Sequence, residues 1–459
     1  MSKRSERLFE ALGGISQQKV DEAAPGGENT AHRNWFGKRR WLGAVAAVLA
    51  VAILGSVFLR PGGALTAYAI AQAQYPETAQ RQELGDTTAL ESFFVRSAQT
   101  FLTQEPGENR VYSPLNVYMA LSMLAQLTGG ESQGQILELL GSGSMDGLRK
   151  QAGGVWHAGY RNDKTATSIL ASSLWLNQDV RFNQDTMDIL ARDFYASSYA
   201  GKMGSKELNK ALQDWLNEQT GGLLEEQAGN IELGPNIILA LATTLYFKAP
   251  WVDDFPKDKT APQTFHTPAE DVETDFMHQI TTENYYWGDR FSAMGQAFAE
   301  GGAMWFLLPD EGVAPEELLA DQETMDFLFT GNKYEWEQKT FVLMNKSVPK
   351  FDVSSQFDLE DGLKALGVTD VYDSAVSDFT PMTTDVDVPI TLSMANHAAR
   401  VVIDEEGCTA AAFTVAAPGC EAAAEDEVDF VLDRPFLFCI TGDSGLPLFV
   451  GIVNYPTGN

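Results

Sequence analysis

Near the C-terminus, Gly442-Asp443-Ser444-Gly445 sets a serine between a carboxylate and a glycine, the surroundings of an acyl-transfer nucleophile. Such a serine needs a histidine base in hydrogen-bond reach and an acid that orients the base. No Ala-His-Cys context precedes it, and too little chain follows the nearest histidine, His397, to build two barrels around Ser444. The run from Thr441 to Gly445 therefore reads as hairpin punctuation between FLFCI and LPLFVGIV. The other histidines (His32, His157, His266, His278) form no HExxH or other close ligand pair. Three cysteines exclude a disulfide scaffold and a Cys-rich zinc module. No catalytic residue, metal or cofactor is expected, and the chain does not read as an enzyme.

The segment that stands out carries no catalytic group. Glu405-Glu406-Gly407-Cys408-Thr409-Ala410-Ala411-Ala412-Phe413-Thr414-Val415-Ala416-Ala417 follows a strand pattern, ARVVID, and precedes another, VDFVLDRPFLF. Roughly 20 residues without apolar period lie between two strands, and loops of that length are usually functional or disordered.

The surrounding elements have a globular composition, 44% hydrophobic and 21% charged, which excludes a disordered or collagenous chain. Helical spacing marks ALESFFVRSAQTFL (with Asp86-Thr87-Thr88 as its cap), VYMALSMLAQL and ELNKALQDWLNEQ. Strand patterns mark SSLWLNQ, IILALATTLYF and AMWFLLP, and most of the last third: KSVPKFDV, ARVVIDEE, FVLDRPFLFCIT and LPLFVGIVNY. Helices and strands that do not strictly alternate predict an α+β fold with large, mostly antiparallel sheets.

Charge divides the chain. Residues 1–60 hold nine Lys or Arg against five Asp or Glu, whereas the whole chain has a formal net charge of −31. So acidic a protein lacks the basic footprint of a nucleic-acid binder. Residues 41–59, WLGAVAAVLAVAILGSVFL, carry no charge and no polar face, enough for a membrane-spanning helix. Lys38, Arg39 and Arg40 precede it, so residues 1–40 are expected as a cytoplasmic tail and the acidic remainder as exported. Residues 60–85 are expected as an extracytoplasmic linker and 86–459 as the folded domain. The alternative is a secreted form cleaved near Ala69, since Ala67-Tyr68-Ala69 resembles a small-residue cleavage site.

At the loop, and over nearly all of residues 86–457, the chain resembles the serpin family. Glu405-Glu406-Gly407 followed by small residues is similar to the hinge of a serpin reactive-centre loop. Leu432-Asp433-Arg434-Pro435-Phe436-Leu437-Phe438 and the run Leu448 to Pro456 (LFVGIVNYP) resemble the family's C-terminal strands. Asn109 to Asn116 (NRVYSPLN) resembles the segment opening its shutter helix, and Leu245 to Trp251 (LYFKAPW) the central-sheet strand that ends at a buried tryptophan. Val348-Pro349-Lys350-Phe351 and Ser377-Asp378-Phe379 follow in the family's order.

The resemblance implies a serpin-like fold with N-terminal helices and an exposed reactive loop, preceded here by one transmembrane helix. It implies a monomer whose partner is a target serine protease, trapped as the acyl-enzyme when the cleaved loop inserts into the main sheet. With Cys408 facing inward, alternation puts Ala410, Ala412, Thr414 and Ala416 on the buried face, all small and uncharged. Family spacing places the reactive bond at Glu421-Ala422, which suits an acid-specific pocket; Ala423 and Ala424 suit an elastase-like or subtilisin-like one. No Lys or Arg occurs between Glu405 and Arg434, which disfavours trypsin-like targets. Shutter and breach positions carry over to Ser113, Asn116, Thr243, Trp251 and His397. Two of these regions depart from the family: Thr243 stands where an asparagine usually meets the shutter histidine, and Cys408 where Thr is common. A Cys408–Cys420 bridge would pin the loop. The alternative function is a non-inhibitory, membrane-tethered binding or signalling module.

Overall fold

The computed structural model describes residues 67–75, 84 and 87–456, except 164, 230, 300, 330–332, 384, 386–388 and 409–425. The expected tail (1–40) and membrane helix (41–59) lie outside the described residues. Among the described residues no helix is long and apolar enough to cross a membrane.

In chain order the strands are β1 (Ala67–Ala71), β2 (Arg110–Tyr112), β3 (Arg161–Asn162), β4 (Thr167–Asn177), β5 (Ala196–Gly201), β6 (Leu239–Pro250), β7 (Ala261–His266), β8 (Asp271–Trp287) and β9 (Phe291–Ala297). They continue with β10 (Ala303–Pro309), β11 (Lys339–Pro349), β12 (Phe351–Asp358), β13 (Ala395–Asp404), β14 (Gly407–Cys408), β15 (Glu427–Val431), β16 (Phe436–Thr441) and β17 (Pro447–Val453). The main sheet runs β1-β5-β4-β6-β14-β13-β12, with β3 on β4; the second runs β15-β11-β8-β9-β10-β16-β17-β2, with β7 on β8. Among the described pairings only β4–β5, β6–β13 and β11–β15 are parallel. The expected α+β class with mostly antiparallel sheets is what the chain adopts.

Among the described residues of the first half, the longer helices are α1 (Thr88–Leu102), α2 (Pro114–Leu127), α3 (Gly130–Leu139), α4 (Met145–Gly159), α5 (Gln184–Asp193) and α6 (Lys206–Gln219). All residues of α2 are buried, as expected of a helix apolar on every side. Ser113 starts it: its hydroxyl accepts from the Asn116 N–H at 3.3 Å, and Pro114 occupies the first turn, where no N–H is needed. In β13 buried and half-buried residues alternate throughout, so one face lies on the core.

The stretch 60–85 is not solely a connector, a correction to its expected role as a linker. Residues 67–71 pair antiparallel with β5 and form the edge of the main sheet. The chain then stays attached: Ala73 N–H donates to Ser197 Oγ (3.1 Å), and Gln74 N–H to the Ala191 carbonyl (3.1 Å). Tyr75 stacks on Trp156 with ring centroids 5.6 Å apart. The physical reason is the edge itself, whose unpaired peptide groups template a further strand. KSVPKFDV also differs from one continuous strand: it divides at Lys350 between β11 of the second sheet and β12 of the main sheet.

Candidate functional site: the hinge and the divided main sheet

Strands β6 and β13 run in the same direction but pair directly only near their starts, Leu241 to Thr243 against Ala395 to His397. At their far ends β14 lies between them, antiparallel to both, with Cys408 opposite Ile403 on one side and Ala249 on the other. Between these zones no ladder pairing joins residues 244–248 to 398–402 among the described residues. The main sheet is thus divided over five positions, and the gap is headed by the first two residues of a strand. Ile403 and Ala249 are buried in the core, and directly opposed residues share a face, so Cys408 also points inward.

The hinge is held from both sides. Trp251 N–H donates to the Glu406 carbonyl, and Phe255 N–H to that of Glu405, both at 3.0 Å. The Asp404 carboxylate accepts from the backbone N–H groups of Glu406 (2.8 Å) and Gly407 (3.2 Å). Glu406 pairs with Lys257. Buried Glu405 accepts from the Thr260 hydroxyl at 2.8 Å and from the Lys350 ammonium at 3.1 Å. Burial alone would raise its carboxyl pKa, but its own backbone N–H, Thr260 and Lys350 together hold it below the ordinary value. Gly407 (φ +154°) is required at the turn into the sheet, because a Cβ there would lie 2.3 Å from the Ala249 carbonyl oxygen.

The expected breach tryptophan, Trp251, is buried one residue beyond β6; its indole N–H donates to the Asp404 carbonyl (3.0 Å) and its ring stacks on Phe298 (4.8 Å). At the other end of the gap, His397 is fully buried and directly opposite Thr243 in the ladder. Its Nε2 accepts from the Ser113 backbone N–H at 3.1 Å, and burial lowers its pKa to about 3, so the ring is neutral. This is a structural histidine tying the start of α2 to the sheet. Asn116, buried in the first turn of α2, has no side-chain hydrogen-bond partner among the described residues. Thr409, Ala410, Ala411, Ala412, Thr414, Cys420, Glu421 and Ala422 lie outside the described residues.

The structure thus joins Ser113, Thr243 and His397 at one end of the gap, and Trp251, Glu405, Glu406, Gly407 and Cys408 at the other. Sequence reading missed Lys257, Thr260 and Lys350, the hinge's partners; their distance along the chain left no local signal, although Lys350 sits inside a quoted motif. Gly442 to Gly445 form the turn between β16 and β17, with Gly442 N–H donating to the Leu446 carbonyl at 3.1 Å.

The large main sheet is thus divided beneath a buried tryptophan, with a strand nucleus at the top of the gap. A family model described as "Serpin (serine protease inhibitor)" matches residues 88–456, and the chain belongs to the serpin family. It is 28% identical over 371 residues to Serpin-ZX of Arabidopsis thaliana, covering 77% of this chain and 94% of that protein. It is 25% identical over 376 residues to the plasma serine protease inhibitor of Mus musculus, covering 79% and 89%. The native-state structure of the thermophilic serpin Tengpin superposes with a TM-score of 0.74 over 85% of this chain and 100% of that one. At 20% identity, that likeness shows the fold. The chain is an inhibitor by family, not an enzyme.

Proposed function

We propose that this protein is a suicide-substrate inhibitor of a serine protease with a small apolar or acid-specific pocket, and that residues 41–59 tether it, as a monomer, to a membrane with the N-terminus cytoplasmic and the serpin domain outside. The divided sheet headed by β14 is the observation that carries the reading. Continued at its observed register, β14 would bring Ala410 opposite Phe247 and Val401, and Ala412 opposite Leu245 and Ala399. Thr409 to Phe413 match the five unpaired positions; Thr414 would reach Thr243 and His397, where the direct β6–β13 pairing must part. A dozen new ladder hydrogen bonds at roughly 1 kcal/mol each would drive insertion by on the order of 10 kcal/mol. Bulky or charged residues at the inward positions would favour the non-inhibitory alternative; Ala410, Ala412, Thr414 and Ala416 are neither.

Retention of the N-terminus is supported by β1. The rival cleavage motif, Ala67-Tyr68-Ala69, pairs with Gly201, Ala200 and Tyr199, so cutting after Ala69 would remove most of an edge strand. The test uses the full chain in mild detergent, incubated with elastase-like, subtilisin-like, acid-specific and trypsin-like proteases. A complex that survives boiling in detergent is expected with one of the first three, with mass spectrometry placing the bond near Glu421-Ala422. Complete loop cleavage by all of them without such a band overturns inhibition. Protease added to intact cells should reach the acidic domain and spare residues 1–40; the reverse pattern overturns the orientation.

A further inference from the structure

We propose that Arg400 is a positioning residue for loop insertion: it ties the turn after α6 across the gap in the main sheet, and release of that tie sets how fast the sheet opens. This rests on the insertion mechanism proposed above. Residues 220–224 turn back from the end of α6, with Gly222 N–H donating to the Asn217 carbonyl (2.8 Å) and Leu223 N–H to that of Thr220 (3.2 Å). The chain stays bound to α6 further on, where Gln213 Nε2 donates to the Ile231 carbonyl (3.0 Å) and Leu233 N–H to Asn209 Oδ1 (2.9 Å). On one bank of the gap the turn rests on β6: a Cβ on Gly221 would lie 3.2 Å from Tyr246 Cζ, and the φ of +59° there suits glycine. On the other bank Arg400 of β13 donates from Nη1 to the Leu223 carbonyl at 2.9 Å. The turn is therefore a strap held by both edges of an opening that, among the described residues, no ladder pairing closes.

The strap crosses the gap at one rung. Cys408 lies opposite Ile403 and Ala249, so at the same register Ala411 would lie opposite Arg400 and Tyr246. The two residues that hold the strap thus flank a single rung, the middle one of the five unpaired positions. Arg400 is among the half-buried residues of β13 that alternate with inward ones, so the strap covers the outward face. A strand entering there sets β6 and β13 two inter-strand spacings apart, about 10 Å. Because α6 packs against β1, β4 and β6, the strap travels with β6, and the Arg400–Leu223 bond is the one that breaks. Asp352 of β12 aims that bond. It stands opposite Val402, diagonal to Arg400, and its carboxylate accepts from Nε at 2.7 Å and from Nη2 at 2.5 Å, which leaves Nη1 for the strap. Arginine's planar fork serves both partners at once, a geometry that lysine's single ammonium does not reproduce.

The probe is a synthetic acetylated peptide of residues 409–417 (TAAAFTVAA), added without protease to the full chain in mild detergent, its uptake into the sheet followed as a shift on native gels. Arg400→Ala should take up the peptide about tenfold faster than the parent, because the parent must first break a hydrogen bond from a charged donor that the variant lacks. Arg400→Lys should fall between the two, and Asp352→Asn, which frees the fork, should also be faster than the parent. Hydrogen exchange over 217–228 should quicken in Arg400→Ala. Ile440→Val, a core truncation in β16 of the second sheet, should lower stability and leave uptake at the parent rate. Equal uptake by Arg400→Ala, Asp352→Asn and the parent overturns the strap, as does a gain in Ile440→Val that matches Arg400→Ala. If neither the parent nor any variant takes up the peptide, the sheet does not expand, and the inhibitory mechanism falls together with the strap. Faster uptake by Arg400→Ala without protease trapping by the parent would overturn inhibition alone and support the strap.

Discussion

Thr414→Arg separates strand insertion from simple substrate behaviour. If the uncleaved loop is at the surface, as the family resemblance implies, the change should be near-neutral there, because surface substitutions away from special contacts usually are. After insertion at the observed register, residue 414 would lie inward between Thr243 and His397. His397 is neutral, its pKa lowered to about 3 by burial, and the opposite position is a threonine, so the guanidinium meets no carboxylate there. An unpaired buried charge costs several kcal/mol even after relaxation, against an insertion energy on the order of 10 kcal/mol. If about 2 kcal/mol of that penalty reaches the insertion barrier, insertion slows roughly 30-fold, and hydrolysis of the acyl-enzyme wins the competition. The assay is the ratio of detergent-stable complex to cleaved inhibitor at fixed protease, with thermal melts of native and cleaved forms. Native stability should match the parent, the complex should become a minor product, and the cleaved form should lose much of its gain in melting temperature. Val415→Arg, facing away from the core by alternation, should trap nearly as the parent does. Equal trapping by Thr414→Arg and the parent would refute either the register or strand insertion itself.

Gly407→Val forces a Cβ against the Ala249 carbonyl and should expel β14, destabilising the hinge by about 1–3 kcal/mol and speeding limited proteolysis just after Glu406. The Glu405 carboxyl is held below its ordinary value of 4.5, so its anchoring is complete above that pH and is lost as pH falls through the lower folded value. In a Cys420→Ser background, Cys408 should therefore become reactive at acid pH toward 4,4′-dithiodipyridine, whose protonated ring lets it react with thiols in acid, and Glu405→Gln should weaken that pH dependence. His397 is lowered from 6.5 to about 3, so above pH 6.5 it is neutral in both states, and below it only the unfolded chain takes the proton. Stability to denaturant should fall by up to about 1.4 kcal/mol per pH unit from 6.5 toward 3 on this account, and His397→Gln should flatten the decline.

Much of the fold was legible because amphipathic patterns survive in each element: AMWFLLP is β10 residue for residue, and ALESFFVRSAQTFL is α1 without its first residue. The inward parity at Cys408 was not legible, because residues 408–412 (Cys, Thr, Ala, Ala, Ala) are small at every position and leave no period of two; the sequence reading assumes it as a starting point. Nor was the gap in the main sheet. β6 and β13 are each continuous strand patterns, and nothing in either records where their partnership stops. β1 was hidden for a related reason: five residues, AYAIA, gain their strand state from the edge of β5 and from the slot that takes Tyr75.

Under the proposed anchoring by residues 41–59, β1 is where a mechanical load would enter the folded domain. Only seven residues separate the end of the 41–59 segment from Ala67. A fully extended chain of that length reaches about 28 Å, so a membrane anchor would keep the sheet edge close to the lipid surface. Tension on the tether would then act first on the hydrogen bonds between β1 and β5, at the margin of the sheet proposed to widen when the loop inserts. Stretching that peeled β1 away would bare the β5 edge, an open template for pairing with a neighbouring tethered copy. Crowding and traction at the surface, rather than sequence alone, would then set how readily such molecules associate.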